Sequence, residues 1–432
     1  MDQAEPRQVK RRRVFYIPGY DPMHPRRYRE LYRTESKAQA EISGYDIGIS
    51  PKQGENYGWR VEARMDGQST DVDVDVLVWS DIVRRSMSNS IPATYLQLVR
   101  TAYTYIASGA LRRMMWLRKG PVIAALYPVG MLLLQLVLAV LAGWAAGAVL
   151  AAALRWIGQG VVALLFGEAS DLDFSVFAAV QGLASWALAG FVIWRLLNWF
   201  KAKDGKLFAY YLMHDYAYSA HWKGANPPEL EARMAEFRQT IAAALRDDVD
   251  EVLVVGHSSG AHLAVSILAD LIREGGAPAD GPALGFLSLG HVIPMVSFLP
   301  KADRLRADLH YLSARDELAW IDVTAPGDGC AFALCDPVSV SGVAPAGQKW
   351  PLVLSAAFTQ TLSPERWKEL RWKFFRLHFQ YLCAFDRVGD YDYFRITAGP
   401  LTLADRFKAR ASSQSRIDVA ASKFTTMAHD PA

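Results

Sequence analysis

The segment with the clearest capacity for chemistry is Gly256-His-Ser-Ser-Gly260, a G-x-S-x-G pentapeptide. It follows the apolar run Glu251-Val-Leu-Val-Val255 and precedes a helix-like stretch over residues 261–273. A sharp turn from strand to helix strains the serine and exposes its hydroxyl, and glycines are needed where neighbouring backbones leave no room for a Cβ. The helix N-terminus also favours developing negative charge. The pattern predicts that Ser258 is a nucleophile; the alternative is a Gly/Ser turn without chemistry.

This strand, pentapeptide and helix resemble the α/β-hydrolase family, and Gly256-His-Ser-Ser-Gly260 is similar to the G-H-S-x-G form of its lipases and esterases. The resemblance covers about residues 13–80 and 207–400. It implies the chain order serine, acid, histidine, and it implies chemistry that needs no cofactor. The sequence has no H-E-x-x-H, P-loop or G-x-G-x-x-G motif, so neither a cofactor nor a metal is expected.

The implied chain order reduces nine histidines to two. The others precede Ser258 or fall in or before the segment expected to supply the acid, which leaves His378 and His429. His429 lies in a polar tail, whereas Phe375-Arg-Leu-His-Phe-Gln-Tyr381 is aromatic and helix-like. Its H-x-x-Y is similar to the histidine segment of the fungal-type triacylglycerol lipases. We expect His378 to be the general base; a core histidine held by packing is the alternative.

The family carries its acid just beyond the carboxyl end of a strand. Asp328 meets this description, because the turn Ala325-Pro-Gly-Asp-Gly329 follows the apolar run 318–323. A Gly/Asp turn also forms without any catalytic reason. Three other aspartates therefore stay open as alternatives, in the order Asp322, Asp316 and Asp336.

The resemblance assigns three catalytic roles: nucleophile to Ser258, proton shuttle to His378, and orientation of the imidazole to Asp328. The oxyanion hole would use the backbone N–H groups of Ser259 and of Tyr20, the latter in the loop Pro18-Gly19-Tyr20. This loop lacks the family's usual His-Gly. The strand before it starts near residue 13, so the family's first two strands are expected to be missing.

Two long stretches without a charged residue interrupt the chain, 34 residues at 121–154 and 21 residues at 174–194. About 20 apolar residues cross a bilayer, so a transmembrane hairpin is expected; helices of a soluble core are the alternative. Residues 156–167 could be re-entrant, interfacial or part of one long helix. Small residues in both stretches would allow close packing or a homodimer: Gly143, Gly147, Gly182, Ser185 and Gly190.

Basic residues flank the outer ends of the two stretches: Arg112, Arg113, Arg118, Lys119, Arg195, Lys201, Lys203 and Lys206. The connection carries Arg155 and three acidic residues, Glu168, Asp171 and Asp173. The positive-inside rule then predicts an integral protein of the cell or inner membrane, with the connection outside and both termini and the catalytic domain in the cytoplasm. The polar N-terminus predicts no cleaved signal.

Strand-like runs alternate with helix-like stretches elsewhere, which predicts an α/β fold with a largely parallel sheet covered by helices on both faces. The expected division is 1–110 and 207–410 for the hydrolase-like domain, 111–206 for the inserted hairpin, and 411–432 for a mobile tail. A formal net charge of +3 argues against nucleic-acid binding. Three cysteines without paired spacing support neither a disulfide framework nor a zinc site.

Together these features predict a membrane-anchored serine hydrolase that cleaves an ester through an acyl-enzyme intermediate. Tethering near lipids favours a lipid or long-chain acyl ester as substrate, with membrane lipids as partners. The alternative is a non-catalytic, membrane-tethered binding or assembly module with a hydrolase-like fold. The sequence leaves open the acyl-chain length and the choice between hydrolysis and acyl transfer.

Overall fold

The computed structural model describes residues 8–52, 54, 56–87, 90–166 and 175–428. The chain forms two compact units. The first comprises Met1–Met87, Arg100–Ala124 and Ala217–Ala432, and the second comprises Ser88–Val99 and Ala125–Tyr216. The second unit therefore includes a short segment, 88–99, that precedes the first apolar stretch.

An eight-stranded sheet lies at the centre of the first unit. Its strands are β1 (Arg11–Ile17), β2 (Asp46–Pro51), β3 (Gly58–Met65), β4 (Gln68–Val76), β5 (Glu251–His257), β6 (Ala283–Leu289), β7 (Leu318–Thr324) and β8 (Leu352–Ser355). Their order is β2-β3-β4-β1-β5-β6-β7-β8. Only β2–β3 and β3–β4 pair in an antiparallel manner, so six neighbouring strands from β4 to β8 are parallel. The predicted α/β class with a largely parallel sheet is confirmed.

The helices are α1 (Arg26–Ser43), α2 (Ser80–Ser86), α3 (Ile91–Ala107), α4 (Ala110–Leu117), α5 (Lys119–Phe166), α6 (Ser175–Ala202), α7 (Asp204–Leu207), α8 (Ala209–His221), α9 (Pro228–Ala244), α10 (Gly260–Arg273), α11 (Ile293–Ser297), α12 (Asp303–Leu312), α13 (Pro337–Val340), α14 (Phe358–Thr361), α15 (Pro364–Leu370), α16 (Phe374–His378), α17 (Tyr393–Ala398) and α18 (Leu403–Phe407). Most helices after α10 are short. They end quickly because Pro, Gly and turn residues recur through this part of the chain.

Helices cover both faces of the sheet. On one face α10 packs against β1, β5 and β6, and it contacts α9 and α12. On the other face, strand residues such as Val14, Val74 and Leu253 join aromatic residues of α1 and α17 in one apolar core. Because parallel strands are buried on both faces, β5 reads as a continuous apolar run rather than as an alternation.

A buried ion pair fastens β1 to β5. The Arg12 Nε and Glu251 Oε2 atoms are 2.5 Å apart, and both side chains are at most 1% exposed. Arg12 also donates to the carbonyls of Gly399 (2.8 Å) and Leu401 (2.6 Å), while Glu251 accepts from the N–H of Leu403 (2.6 Å). A buried ion pair is tolerated when further hydrogen bonds satisfy both groups, as here. The network fixes the start of β5, the strand that ends in the pentapeptide.

Within the second unit, α5 and α6 pack through small residues. A Cβ on Gly143 would lie 2.7 Å from the Ala189 carbonyl oxygen, and one on Gly147 would lie 2.9 Å from that of Ser185. Both helices are long and apolar enough to cross a membrane, and their most apolar windows are only 17% and 11% buried. Core helices of a soluble protein would be mostly buried, so the exposure favours the spanning interpretation.

The structure selects one alternative that the sequence left open, and it differs from the sequence expectations in two places. Residues 156–166 continue α5 as one helix, whereas Gly167 and the acidic connection with Glu168, Asp171 and Asp173 lie outside the described residues. The strand β2 was not predicted. The segment expected to be a mobile tail forms no helix or strand from 411 to 428, yet it is attached to the domain: Ile417 donates to Leu334, Ala421 donates to Val340, and Thr426 accepts from Arg306.

Candidate active site

Ser258 lies in the turn between β5 and α10, at the carboxyl edge of the parallel strands. Its φ of +57° is unusual for a residue other than glycine and marks backbone strain. The Ser258 N–H donates to the Leu289 carbonyl (2.9 Å) at the end of β6, so the neighbouring strand holds the turn in place. The side chain is half-buried. This is the strained strand-to-helix conformation that the pentapeptide predicts.

Close backbone contacts explain the glycines around the turn. A Cβ on Gly260 would lie 2.1 Å from the Ile17 carbonyl oxygen, a distance that no side chain tolerates. A Cβ on Gly19 would lie 3.0 Å from the Ser258 Cβ and 3.4 Å from its Oγ. The loop after β1 therefore runs directly alongside the serine hydroxyl.

The acid and the base predicted from the sequence are hydrogen-bonded to each other. His378 Nδ1 and Asp328 Oδ2 are 2.7 Å apart, and the exposed fractions of the two residues are 6% and 2%. Asp328 Oδ1 accepts from the backbone N–H of Cys330 (2.8 Å). A carboxylate that accepts the Nδ1 proton fixes the histidine tautomer and leaves Nε2 as the acceptor for a substrate-side proton.

Tyr381 adds a further donor to the same carboxylate. Its hydroxyl donates to Asp328 Oδ2 (3.0 Å) and accepts from the Ala325 N–H (2.9 Å). These two bonds connect the beginning and the end of the turn 325–329, which we call the acid turn. Burial, and then the negative charge of Asp328, raise the pKa of Tyr381 well above its usual value. The phenol therefore stays protonated and keeps donating at any physiological pH.

His257, the residue before Ser258, packs against His378 and is hydrogen-bonded to its backbone. The two rings stack with centroids 4.9 Å apart, and the His257 Nε2 is 3.1 Å from the His378 carbonyl oxygen. The His257 Nδ1 faces the hydroxyl of Tyr16 at 3.2 Å. Burial, and then the neighbouring His378, lower the pKa of His257 well below its usual value, so its ring is neutral. A neutral ring that donates through Nε2 accepts through Nδ1, which matches both partners.

His378 contacts two residues that adjoin Ser258: His257 in the chain, and Gly290 on the neighbouring strand end. His257 precedes Ser258 in the chain, and Gly290 follows the residue that accepts the Ser258 N–H; a Cβ on Gly290 would lie 3.1 Å from the His378 Cε1. Within the described part of the chain, no hydrogen bond joins the Ser258 hydroxyl to His378. Catalytic bonds of this kind often shorten only when substrate is bound.

The two proposed oxyanion donors belong to the residue after Ser258 and to the loop after β1. Ser259 precedes the first turn of α10, so its N–H is one of the groups that the helix leaves unused. Tyr20 follows Gly19, the residue whose backbone lies beside the Ser258 hydroxyl. The Tyr20 ring is buried against Trp79 and Tyr218 and fixes this loop.

The three alternative acids have other partners. Asp322 is buried in the middle of β7, where its Oδ1 accepts from the Ser288 hydroxyl at 2.5 Å and its Oδ2 is 3.6 Å from the His291 Nε2. Burial raises the pKa of Asp322 well above its usual value, which favours the uncharged carboxyl. Asp316 pairs with Lys349 on the surface, and Asp336 caps the N-terminus of α13. The carboxylate bonded to His378 is that of Asp328.

Asp328, Cys330 and His378 also offer three possible metal ligands within 4.8 Å of one another. Two ligands of a tetrahedral zinc ion are about 3.3 Å apart, since each lies near 2.0 Å from the metal. The Nδ1–Oδ2 distance of 2.7 Å is shorter than that, and both carboxylate oxygens already accept hydrogen bonds. The cluster therefore fits a hydrogen-bonded pair better than a metal centre.

Sequence reasoning did not select Tyr381 or His257, although both stand inside motifs that it used. Tyr381 is the last residue of the H-x-x-Y segment, and His257 is the second residue of the pentapeptide. His429, the other histidine left by the chain order, lies outside the described residues.

Comparisons with protein-family models, curated proteins and solved structures found no match for this chain.

Proposed function

We propose that this protein is a membrane-anchored serine hydrolase that cleaves a carboxylic ester, with a lipid or long-chain acyl ester as substrate. The observation that carries the proposal is the strained Ser258 turn at the same sheet edge as the hydrogen-bonded pair Asp328–His378. Parallel strands bring their carboxyl ends to one edge, so the turn after β5 carries Ser258 and the turn after β7 carries Asp328 at that edge, and His378, at the end of α16, joins them through its hydrogen bond to Asp328. A catalytic serine needs such a neighbourhood because its hydroxyl is a weak nucleophile on its own.

In the proposed reaction, the Ser258 Oγ attacks the ester carbonyl while His378 Nε2 takes the hydroxyl proton. The N–H groups of Ser259 and Tyr20 stabilise the negative oxygen of the tetrahedral intermediate. The C–O bond to the leaving alcohol then breaks, and His378 returns its proton to that alcohol. Water attacks the acyl-enzyme by the same route, releases the acid and regenerates Ser258. The Asp328 carboxylate orients His378 and stabilises the imidazolium in both halves of the reaction.

The resemblance to the α/β-hydrolases supports this proposal. The strands β2 and β3 form one edge of the sheet, and they follow β1 in the chain. The hydrolase-like domain would then consist of residues 1–110 and 207–410, with 111–206 as the inserted membrane hairpin. The positive-inside rule supports a cytoplasmic domain and cytoplasmic termini.

Labelling with a fluorophosphonate probe tests the proposal without a known substrate, because the probe reacts only with an activated serine. We expect the wild-type protein in membranes to be labelled, and Ser258→Ala and His378→Ala to lose labelling. Ser259→Ala is the matched control, since it keeps the backbone N–H and should stay reactive. A folded wild-type protein that never reacts would favour the non-catalytic membrane module instead.

A further inference from the structure

The segment 371–376, which comprises the link between α15 and α16 and the first three residues of α16, exposes large aromatic and basic side chains together. Trp372 is 72% exposed and Phe374 is 46% exposed, and Arg371, Lys373 and Arg376 are exposed as well. We call this the aromatic–basic segment. Large apolar side chains rarely stand out in water as a group unless they contact a partner or a membrane.

This segment adjoins the candidate active site. Its last three residues, 374–376, are the first residues of α16, the helix that ends at His378. The Phe374 ring packs on the acid turn, because a Cβ on Gly329 would lie 3.2 Å from its Cδ1 atom. The acid turn in turn packs on the first residues of α5: a Cβ on Gly120 would lie 3.7 Å from the Gly329 Cα.

The contact at Gly120 connects the segment to the start of the apolar helix. Gly120 is the second residue of α5, whose following residues form the first candidate membrane span. Trp116, four residues earlier, is 67% exposed, and Lys119 is exposed too. Two exposed tryptophans and several cations therefore belong to two segments that both contact the turn at Gly329, one through Phe374 and the other through Gly120 at the start of the apolar helix. Tryptophan and basic residues are enriched at this level of a bilayer.

The charge of the region fits an anionic surface. Residues 366–376 contain five basic side chains and one acidic side chain, whereas the whole chain has a net charge of only +3. Glu369 pairs with Lys373 at 2.9 Å and lies 3.6 Å from Arg376. Among the described residues Arg371 has no carboxylate partner, and its guanidinium lies over the Trp372 ring at 5.6 Å. A cation stacked on an exposed tryptophan presents charge and apolar area on one surface.

We propose that the aromatic–basic segment lies on the surface of an anionic lipid bilayer, the bilayer that α5 enters, and holds the site next to His378 at that surface. This deepens the proposed function and rests on it for the substrate: an ester lipid would reach Ser258 from the membrane rather than from water. The contact needs no rearrangement, because the side chains are already exposed. Interfacial contact of this kind combines apolar burial with attraction to anionic head groups.

The first test measures where the segment lies. The full chain, as Ser258→Ala with Cys330→Ser and Cys383→Ser, carries a fluorophore on Trp372→Cys and is reconstituted in phosphatidylcholine vesicles with or without phosphatidylglycerol. The control label is on Gln68→Cys, which is exposed at the start of β4, the opposite edge of the sheet from Ser258. We expect acrylamide to quench the label at 372 several-fold less than the label at 68, most clearly with phosphatidylglycerol. Equal quenching at both positions in anionic vesicles would overturn the proposal and point to a protein partner.

The second test measures what the contact does. Arg371→Glu should lower hydrolysis of a vesicle-borne diacylglycerol by about fivefold or more, the effect of one cation at an anionic surface. The same variant should hydrolyse a soluble short-chain ester and react with fluorophosphonate like the wild type. The matched control is Arg64→Glu at the end of β3, an exposed arginine with the same change of charge. An equal loss on both substrates would refute an interfacial role. The first test uses an inactive variant, so its failure is separate from a failure of the hydrolase proposal.

Discussion

Asp328→Asn provides a sharp test of the proposed catalytic arrangement. The carboxylate accepts three hydrogen bonds, from the Cys330 N–H on one oxygen and from His378 and Tyr381 on the other. An asparagine has one accepting oxygen, so its NH₂ group must face at least one of these donors. The better fit keeps the amide oxygen on the Cys330 N–H and turns the NH₂ group toward His378. The Nδ1 proton of His378 then has no acceptor, and the tautomer with a free Nε2 is no longer fixed.

The size of the effect follows from the bonds that change. A hydrogen bond to a charged group contributes about 1.5–3 kcal/mol, and the two on Oδ2 together contribute about 3–6 kcal/mol. Loss of the acid in a serine–histidine–aspartate triad lowers kcat by roughly 10⁴, or about 5 kcal/mol of barrier, which lies inside that range. We therefore expect Asp328→Asn to lose about four powers of ten in kcat.

Asp322→Asn is the matched control, because it makes the same replacement, of one carboxylate oxygen by an NH₂ group, in the alternative acid. Burial raises the pKa of Asp322, which favours its uncharged form, and an amide oxygen can still accept from the Ser288 hydroxyl. We expect kcat to change little. The assay is hydrolysis of a short-chain nitrophenyl ester together with the rate of fluorophosphonate labelling, with thermal unfolding to show that both variants fold. An Asp328→Asn protein that keeps activity while Asp322→Asn loses it would refute the assignment of the acid.

Three further predictions concern positioning, pH and topology. His257→Phe keeps a ring stacked on His378 but removes the hydrogen bond to its carbonyl, so kcat should fall by about tenfold to a hundredfold with KM unchanged, and His257→Gln should recover part of it; an unchanged kcat would contradict the positioning role. Burial lowers the pKa of His262 and of His291 to about 4 from 6.5, so the unfolded chain binds more protons in this window. The unfolding free energy should therefore fall as pH falls from 6.5 to 4, by roughly 3 kcal/mol for each histidine. The melting temperature should fall with it, and less steeply in His262→Leu; a melting temperature that does not change over this pH range would contradict the prediction. Finally, Asp171→Cys should react with an impermeant maleimide from outside intact cells; a label that enters only after lysis would reverse the predicted orientation.

Most of the sheet could be predicted from local patterns. The apolar runs of β5, β6 and β7 lie between turn residues, and the alternation around the Asp66-Gly67 turn gives β3 and β4. A buried parallel strand has no polar face, so its run of apolar residues is distinctive. The strand β2 was missed because its sequence Asp-Ile-Gly-Ile-Ser-Pro is short and contains Gly and Pro, which are uncommon in strands. Its pairing with β3 along the sheet edge overrides that weak local preference.

The C-terminal segment shows the same limit for loops. Its composition is rich in Ser, Ala and Thr without periodicity, which predicts mobility when read alone. In the structure it is ordered by partners far away in the chain, since Arg306 binds the Thr426 carbonyl and Asp336 donates to the Ile417 carbonyl. A sequence pattern contains local preferences and cannot show which distant groups will satisfy a backbone.

The sequence by itself determined the candidate nucleophile, the two apolar helices and the α/β class, because each depends on contiguous residues: a strand–turn–helix motif, a long apolar run, or an alternation of elements. The sequence ranked Asp328 before Asp322, but only the tertiary structure shows that Asp328 is the carboxylate bonded to His378 and that Tyr381 and His257 contact this pair. Asp322 and Asp328 are six residues apart, yet burial inside β7 raises the pKa of Asp322, whereas Asp328 meets three donors beyond the end of that strand. Hydrogen bonding and the cost of burying charge depend on neighbours that folding brings together from distant parts of the chain.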